Sequence, residues 1–198
     1  MGVVHDFPNI SPRKNNICKS CEFGKQTRVW FNAKEGTSSK PLELIHTNLC
    51  GPMRKKSPWG EQYFILFVDD FTCMCWIGLL KHKYEEFDKF KVFKALVEVE
   101  LDLTIKCIRF DREGKFISYE FFDFCEQHGI KRQFSVAKTP TQNGVGERMN
   151  IIIQQMAHAM LDESRTPHTF WGELAHKTIN MLNKAHIKVN SHKNPYEI

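Results

Sequence analysis

Tyr63–Leu80 reads YFILFVDDFTCMCWIGLL. Tyr63–Val68 is an unbroken apolar run of six residues, and Cys73–Leu80 is a second apolar run. Runs that do not alternate belong to strands buried on both faces. The Asp69–Thr72 gap between them is too short for a crossover, so the two strands form an antiparallel hairpin. Asp69 and Asp70 then read as the polar corner of that hairpin.

Downstream, Phe87, Phe90, Phe93, Leu96, Val97 and Leu101 recur at helical spacing, which predicts a helix with a core-facing stripe. Thr104–Ile108 returns as a strand, and a helix-linked return gives a parallel neighbour. A short amphipathic helix follows over Tyr119–His128, closed by Gly129 at its C′ position, and then a strand over Ile130–Phe134. Met149, Ile152, Ile153, Met156 and Met160 mark another core-facing helix. Thr166-Pro167 reads as a helix start, with Phe170, Trp171, Leu174, Ala175, Thr178 and Leu182 on the packed face. Upstream of the hairpin, Leu42–Leu49 is a short strand ending at the turn Gly51-Pro52. The predicted order is three strands, helix, strand, helix, strand and two helices, a mixed α/β domain.

Two acids occupy positions at which this order would aim them. Asp111 lies in IRFDREGKF (Ile108–Phe116), just beyond the Thr104–Ile108 strand. Glu147 lies in TPTQNGVGERMN (Thr139–Asn150), two or three residues into a helix that opens from a Gly-rich loop. Carboxylates at a strand end and a helix start can share a divalent metal. Each also has a local explanation, Asp in a turn and Glu in a first helical turn.

Taken in order, HTNLCGP (His46–Pro52), YFILFVDDFT, IRFDREGKF and TPTQNGVGERMN resemble the integrase core of copia-type retrotransposons, from about Ile17 to Ile198. That resemblance implies an RNase H-like fold, a mixed sheet of five strands flanked by helices. It also implies a D, D-35-E triad holding two Mg²⁺ (or Mn²⁺) ions. Asp111 takes the place of the second acid and Glu147 that of the third, with 35 residues between them. The first acid of the family stands in HTDLCGP, where this chain has Asn48. Such a site stabilises the attacking and leaving oxygens of phosphodiester cleavage and strand transfer. Asn keeps one oxygen ligand and loses the charge. Lys115, in Arg112-Glu113-Gly114-Lys115 where the family has Gly-Gly-Glu, weakens the site further.

Three functions compatible with these residues follow. The first is a degenerate integrase core that binds DNA weakly without joining it. The second is an active integrase in which a substitute acid, such as Asp69, replaces the first Asp. The third is a non-enzymatic interaction module that kept only the fold.

The net charge of +5 and pI near 8.8 permit nucleic-acid binding without demanding it. Lys131, Arg132, Lys138 and Arg148 flank the acid pair, and Arg54-Lys55-Lys56 follows the first strand. These cations could neutralise phosphates or simply form a solvated basic surface. With 198 residues, 16 Phe and 4 Trp, the chain can bury a substantial core. Seven Cys, an odd number, and no long apolar run point to an intracellular protein with free thiols and no membrane association, nuclear if it acts on DNA. Homo-oligomerisation is a further expectation.

Residues 1–40 form a separate piece carrying Cys18 and Cys21 in a CxxC, ahead of the core at 41–198. Zinc needs four ligands, and His5 is the only upstream His. In the resembled family this segment ends a His-His-Cys-Cys module whose His residues lie further upstream. Here the incomplete set is expected to hold Zn²⁺ weakly or not at all, and two free thiols on a loop are an equal reading.

Overall fold

The computed structural model describes residues 38–110, 118–134, 144–185 and 195. Five strands form one sheet in the order β3-β2-β1-β4-β5: β1 (Ile45–Cys50), β2 (Tyr63–Asp69), β3 (Cys75–Leu80), β4 (Cys107–Phe110) and β5 (Lys131–Phe134). β1, β2 and β3 are antiparallel neighbours, whereas β4 and β5 add in parallel. The helices are α1 (Glu86–Leu101), α2 (Tyr119–Gln127), α3 (Gly144–Ser164) and α4 (Trp171–Asn183). This is the mixed α/β sheet that the order of apolar runs predicts.

Strand alternation sorts the core into two layers. Ile45, Ile65, Phe67, Ile108 and Phe110 face α1 and α2, where Phe90, Phe93, Val97 and Phe121 meet them. The rings interlock: Phe67 stacks on Phe93 at 4.1 Å between centroids, and Phe121 stands edge-on to Phe110 at 5.3 Å. Phe64, Leu66 and Val68 face the other way, toward Met149, Ile153 and Leu161 of α3 and Trp171, Ala175 and Ile179 of α4.

Several boundaries differ from the sequence prediction, each for a local reason. Leu42 has φ +62°, outside strand geometry, and its N–H donates to Asp69 Oδ1 at 2.8 Å, so β1 begins at Ile45. Cys73 has φ +59° and donates to the Asp69 carbonyl, which delays β3 to Cys75. Ile105 N–H is taken by Glu98 Oε1 (2.9 Å) and Lys106 N–H by the Leu42 carbonyl (2.9 Å), so β4 starts only at Cys107. Thr166 does not cap a helix. Its hydroxyl pairs with Ser164 Oγ at 2.6 Å, Pro167 is extended with ψ 137°, and a short 3-10 turn (His168–Phe170) precedes α4.

The stripe on α1 is also narrower than its spacing implies. Phe90, Phe93 and Val97 are buried, but Leu96 is 65% exposed and Leu101 37%. Glu86, at the start of the helix, is buried in their place.

Candidate active site

The centre of the sheet is β1. Alternation puts His46, Asn48 and Cys50 on the face covered by α3, as the register partner of Asn48, Leu66, also packs there. Asn48 is half-buried. β4 lies beside β1 in parallel, with Ile45 against Ile108 and His46 against Arg109. β4 ends at Phe110, the residue before Asp111 in sequence, and Asp111 lies outside the described residues. So do Lys115, Lys138, Cys18 and Cys21.

Glu147 is the fourth residue of α3 and is exposed. Met149 and Ile153 turn into the core while Ile151 is 49% exposed, so the acid stands beside the packed stripe, toward solvent. α3 is tied to the end of β1 through Gln154, whose Nε2 donates to Cys50 Sγ at 3.0 Å. Burial pushes the Cys50 thiol up to about 11, so the contact involves a neutral thiol at ordinary pH.

One residue the sequence reading missed is Asn150, a single turn after Glu147. It is 6% exposed, and its Oδ1 has no hydrogen-bond partner among the described residues. Its spacing of three from Glu147 makes it a helical neighbour, the one signal of its place that the sequence carries. Carboxamide and carboxylate oxygens are hard donors of the kind that Mg²⁺ or Mn²⁺ takes. Among the described residues no group of three or more His, Cys, Asp or Glu is arranged to hold a metal.

Asp69 does not reach this place. It pairs with Ile45 at the opposite end of β1, three residues from Asn48, about 10 Å along a strand. Its carboxylate is occupied: Oδ1 accepts from Leu42 N, and Oδ2 from Thr72 N and Thr72 Oγ1, each at 2.8 Å. Burial raises the Asp69 carboxyl above its ordinary range against those hydrogen bonds. Asp70 is employed too. Its Oδ1 meets buried His46 Nε2 at 2.8 Å, and its Oδ2 accepts from Ser38 N at 3.1 Å and Ser38 Oγ at 2.5 Å. Burial alone would raise it, but the hydrogen bonds from His46 and Ser38 and the His46 charge hold it well below the ordinary range.

Of the cations expected to flank the acids, Lys131, Arg132 and Arg148 lie among the described residues. Lys131 opens β5 against Cys107, three residues before Phe110, and is exposed. The Arg132 guanidinium lies over the Phe122 ring at 4.4 Å, a cation–π contact that already employs it. Arg148 is half-buried on α3.

No family model matches the chain. Two curated relatives are the Retrovirus-related Pol polyprotein from transposon TNT 1-94 of Nicotiana tabacum and that from transposon RE2 of Arabidopsis thaliana. The first is 38% identical over 168 residues, 85% of this chain, and the second 30% over 195 residues, 98% of it. The chain spans 13% of the length of each. Among solved structures, the HTLV-2 integrase catalytic core domain in complex with magnesium (trimeric form) aligns with TM-score 0.61 at 20% identity, covering 81% of this chain and 98% of that one. A simian T-cell lymphotropic virus intasome in complex with the PP2A regulatory subunit B56 gamma aligns with TM-score 0.62 at 15% identity, over 79% of this chain and 53% of that one.

Proposed function

The chain is an integrase catalytic-core-like domain, homologous to one segment of the copia-type retrotransposon Pol polyproteins, and on that premise we propose that it binds DNA but has lost strand joining at position 48. The observation that carries this is the identity of the β1 residue on the α3 face, a carboxamide rather than a carboxylate, on the strand next to β4. Asp111 follows β4 directly in sequence, Glu147 opens α3 over the same face, and Asn48 would be the third ligand.

Asp111, Glu147 and Asn48 would hold Mg²⁺ or Mn²⁺, with Asn150 Oδ1 close behind Glu147 as a spare buried acceptor. When bound, the metal supplies positive charge to the attacking and leaving oxygens of a phosphoryl transfer. Residue 48 can orient that arrangement through one neutral oxygen but cannot balance its charge. Losing about 4 kcal/mol of transition-state stabilisation slows turnover about a thousandfold. The protein is therefore expected to show no strand transfer with Mg²⁺ or Mn²⁺ while still retaining duplex DNA. An assay for joining, run beside a binding assay, tests this. Robust joining by the unmodified chain, or no DNA binding at all, would overturn it.

Self-association belongs to the same proposal. Val92, Leu96 and Val99 are 57%, 65% and 83% exposed and stand on one side of α1 at spacings of four and three. A second copy of this chain would cover that stripe, and the similar integrase cores were solved as a trimeric and a dimeric form. Residues 1–40, with Cys18 and Cys21, are proposed to be a remnant zinc segment and linker outside the core.

A further inference from the structure

The segment leaving β1 beside Asn48 is GPMRKKSPWGEQ, from Gly51 to Gln62, and its backbone is extensively tied down. Met53 N–H donates to the Gln62 carbonyl at 2.7 Å, Ser57 N–H to the Glu61 carbonyl at 2.9 Å, and Gln62 N–H to Leu80 of β3 at 3.0 Å. From the other side Trp171 Nε1 donates to the Lys55 carbonyl at 3.0 Å, fixing the segment to α4. Its tip is a β-turn over Ser57-Pro58-Trp59-Gly60, closed by Gly60 N–H to the Ser57 carbonyl at 3.0 Å. Ser and Pro suit the first two turn positions, and Gly60 takes φ +93°, where other residues are strained. Buried Ser57 is the hub: its Oγ accepts from Trp59 N at 3.2 Å and Glu61 N at 3.0 Å and donates to the Glu61 carboxylate.

This rigid turn holds a large apolar ring in water. Trp59 is 61% exposed, whereas Trp171 is 7% exposed. Arg54, Lys55 and Lys56 are exposed on the same segment, and none of them makes an ion pair among the described residues. The one acid of the segment, Glu61, is occupied by Ser57. Three cations without an ion pair among the described residues, on the same segment as a preset aromatic face, fit a polyanion with stackable rings. An apolar protein partner would gain from the indole but would have to desolvate the cations.

Resting on the DNA-binding function above, we propose that the Gly51–Gln62 segment is a binding site for unpaired nucleic acid, in which Trp59 stacks on an exposed base and Arg54, Lys55 and Lys56 contact the adjoining phosphates. In an intact duplex the base faces are covered by their neighbours. Stacking on Trp59 therefore requires a single strand or an unpaired end, while the cations act on either form.

The test uses the full chain with an oligothymidylate and with a blunt duplex, titrated by tryptophan fluorescence and anisotropy at several salt concentrations. Wild type is expected to be quenched by the oligothymidylate. Trp59→Ala should lose most of that quenching and bind the single strand roughly 5- to 150-fold more weakly, with blunt-duplex affinity unchanged. Trp59→Phe should keep most of the affinity. Replacing Arg54, Lys55 and Lys56 with Gln should lower the single-strand salt slope by about 2. An exposed indole should contribute little to folding, and equal melting temperatures would confirm that the variants are folded. If wild type binds DNA and Trp59→Ala binds the oligothymidylate equally well, this proposal fails and the general DNA-binding function stands. If wild type binds neither probe, both fail. Loss of self-association rather than of single-strand binding in Trp59→Ala would assign the ring to a protein contact and overturn the proposal.

Discussion

Restoring a carboxylate at position 48 is the sharpest perturbation of the proposed site. Asn48→Asp is nearly isosteric, and the side chain is half-buried on β1 under α3, so the change is in charge rather than shape. At about 4 Å and an effective dielectric of about 20, one pair of unit charges is worth about 4 kcal/mol, and a divalent ion doubles that. Loss of the ion's hydration and solvent screening at this half-buried position take back most of that attraction, while repulsion by the other proposed acids is present with and without the metal and cancels from the affinity. A net gain on the order of 2 kcal/mol remains, about thirtyfold tighter Mg²⁺ or Mn²⁺ binding. The same balance gives a second signature. Without metal, the variant should melt below wild type through like-charge repulsion, and added Mg²⁺ should raise its melting temperature more than that of wild type. Calorimetric titration and thermal denaturation with and without metal measure both. Joining activity is not expected to return with affinity, because Lys115 remains. Equal metal affinity in the two proteins, with melting shifts that ignore Mg²⁺, would show that position 48 does not face a metal site.

Three further outcomes are expected. Asp70→Asn should destabilise the fold by roughly 1.5–3 kcal/mol at neutral pH, the range for hydrogen bonds to a charged group; because the folded Asp70 carboxyl lies below its ordinary 3.8, that contribution is complete above this value and is lost as pH falls through the lowered one, so urea titrations of the two proteins should converge at acid pH. Asn183→Ala should cost about 3 kcal/mol by urea denaturation, since the buried carboxamide accepts from Cys75 N at 2.9 Å and donates to the Cys75 carbonyl at 2.8 Å, and both backbone groups would be left unpaired. Leu96→Glu with Val99→Glu should leave the melting temperature nearly unchanged, as both side chains are exposed, while shifting sedimentation toward the monomer.

The sheet was legible because its information is local and redundant. Tyr63–Val68 could only be a doubly buried strand, and it lies between β1 and β3 with both faces covered. Boundaries were not legible where long-range hydrogen bonds set them. Nothing near Thr104 announces that Glu98 will capture Ile105 N–H, seven residues away. Side-chain faces differ where spacing is read without competition: Leu96 fits the stripe of Phe93 and Val97, yet Phe67 of β2, stacked on Phe93, and Phe121 of α2, edge-on to Phe90, pack under α1. For the site, sequence names Asn48 and Glu147 through a motif resemblance, whereas Asn150, three residues from Glu147, stands out through its burial and an Oδ1 with no hydrogen-bond partner among the described residues. The engagement of Arg132 with the Phe122 ring likewise needed the packing of α2 beside β5, which sequence adjacency does not supply.

Asp69 shows why a nearby acid is not an available acid. In sequence it follows the most apolar strand and stands beside a second carboxylate, as a catalytic acid might be placed. In the fold it closes the β2–β3 corner and anchors Leu42, which holds φ +62° ahead of β1. Turning its carboxylate toward Asn48 would leave Leu42 N, Thr72 N and Thr72 Oγ1 without their acceptor. At about 1–3 kcal/mol for each buried unpaired group, that rearrangement costs several kcal/mol before the side chain has crossed about 10 Å of strand. A metal would have to return more than this through one ligand, while Asp70 beside it stays committed to His46 and Ser38. For the proposed site, a carboxylate on β1 comes from changing residue 48, and not from redirecting Asp69 or Asp70.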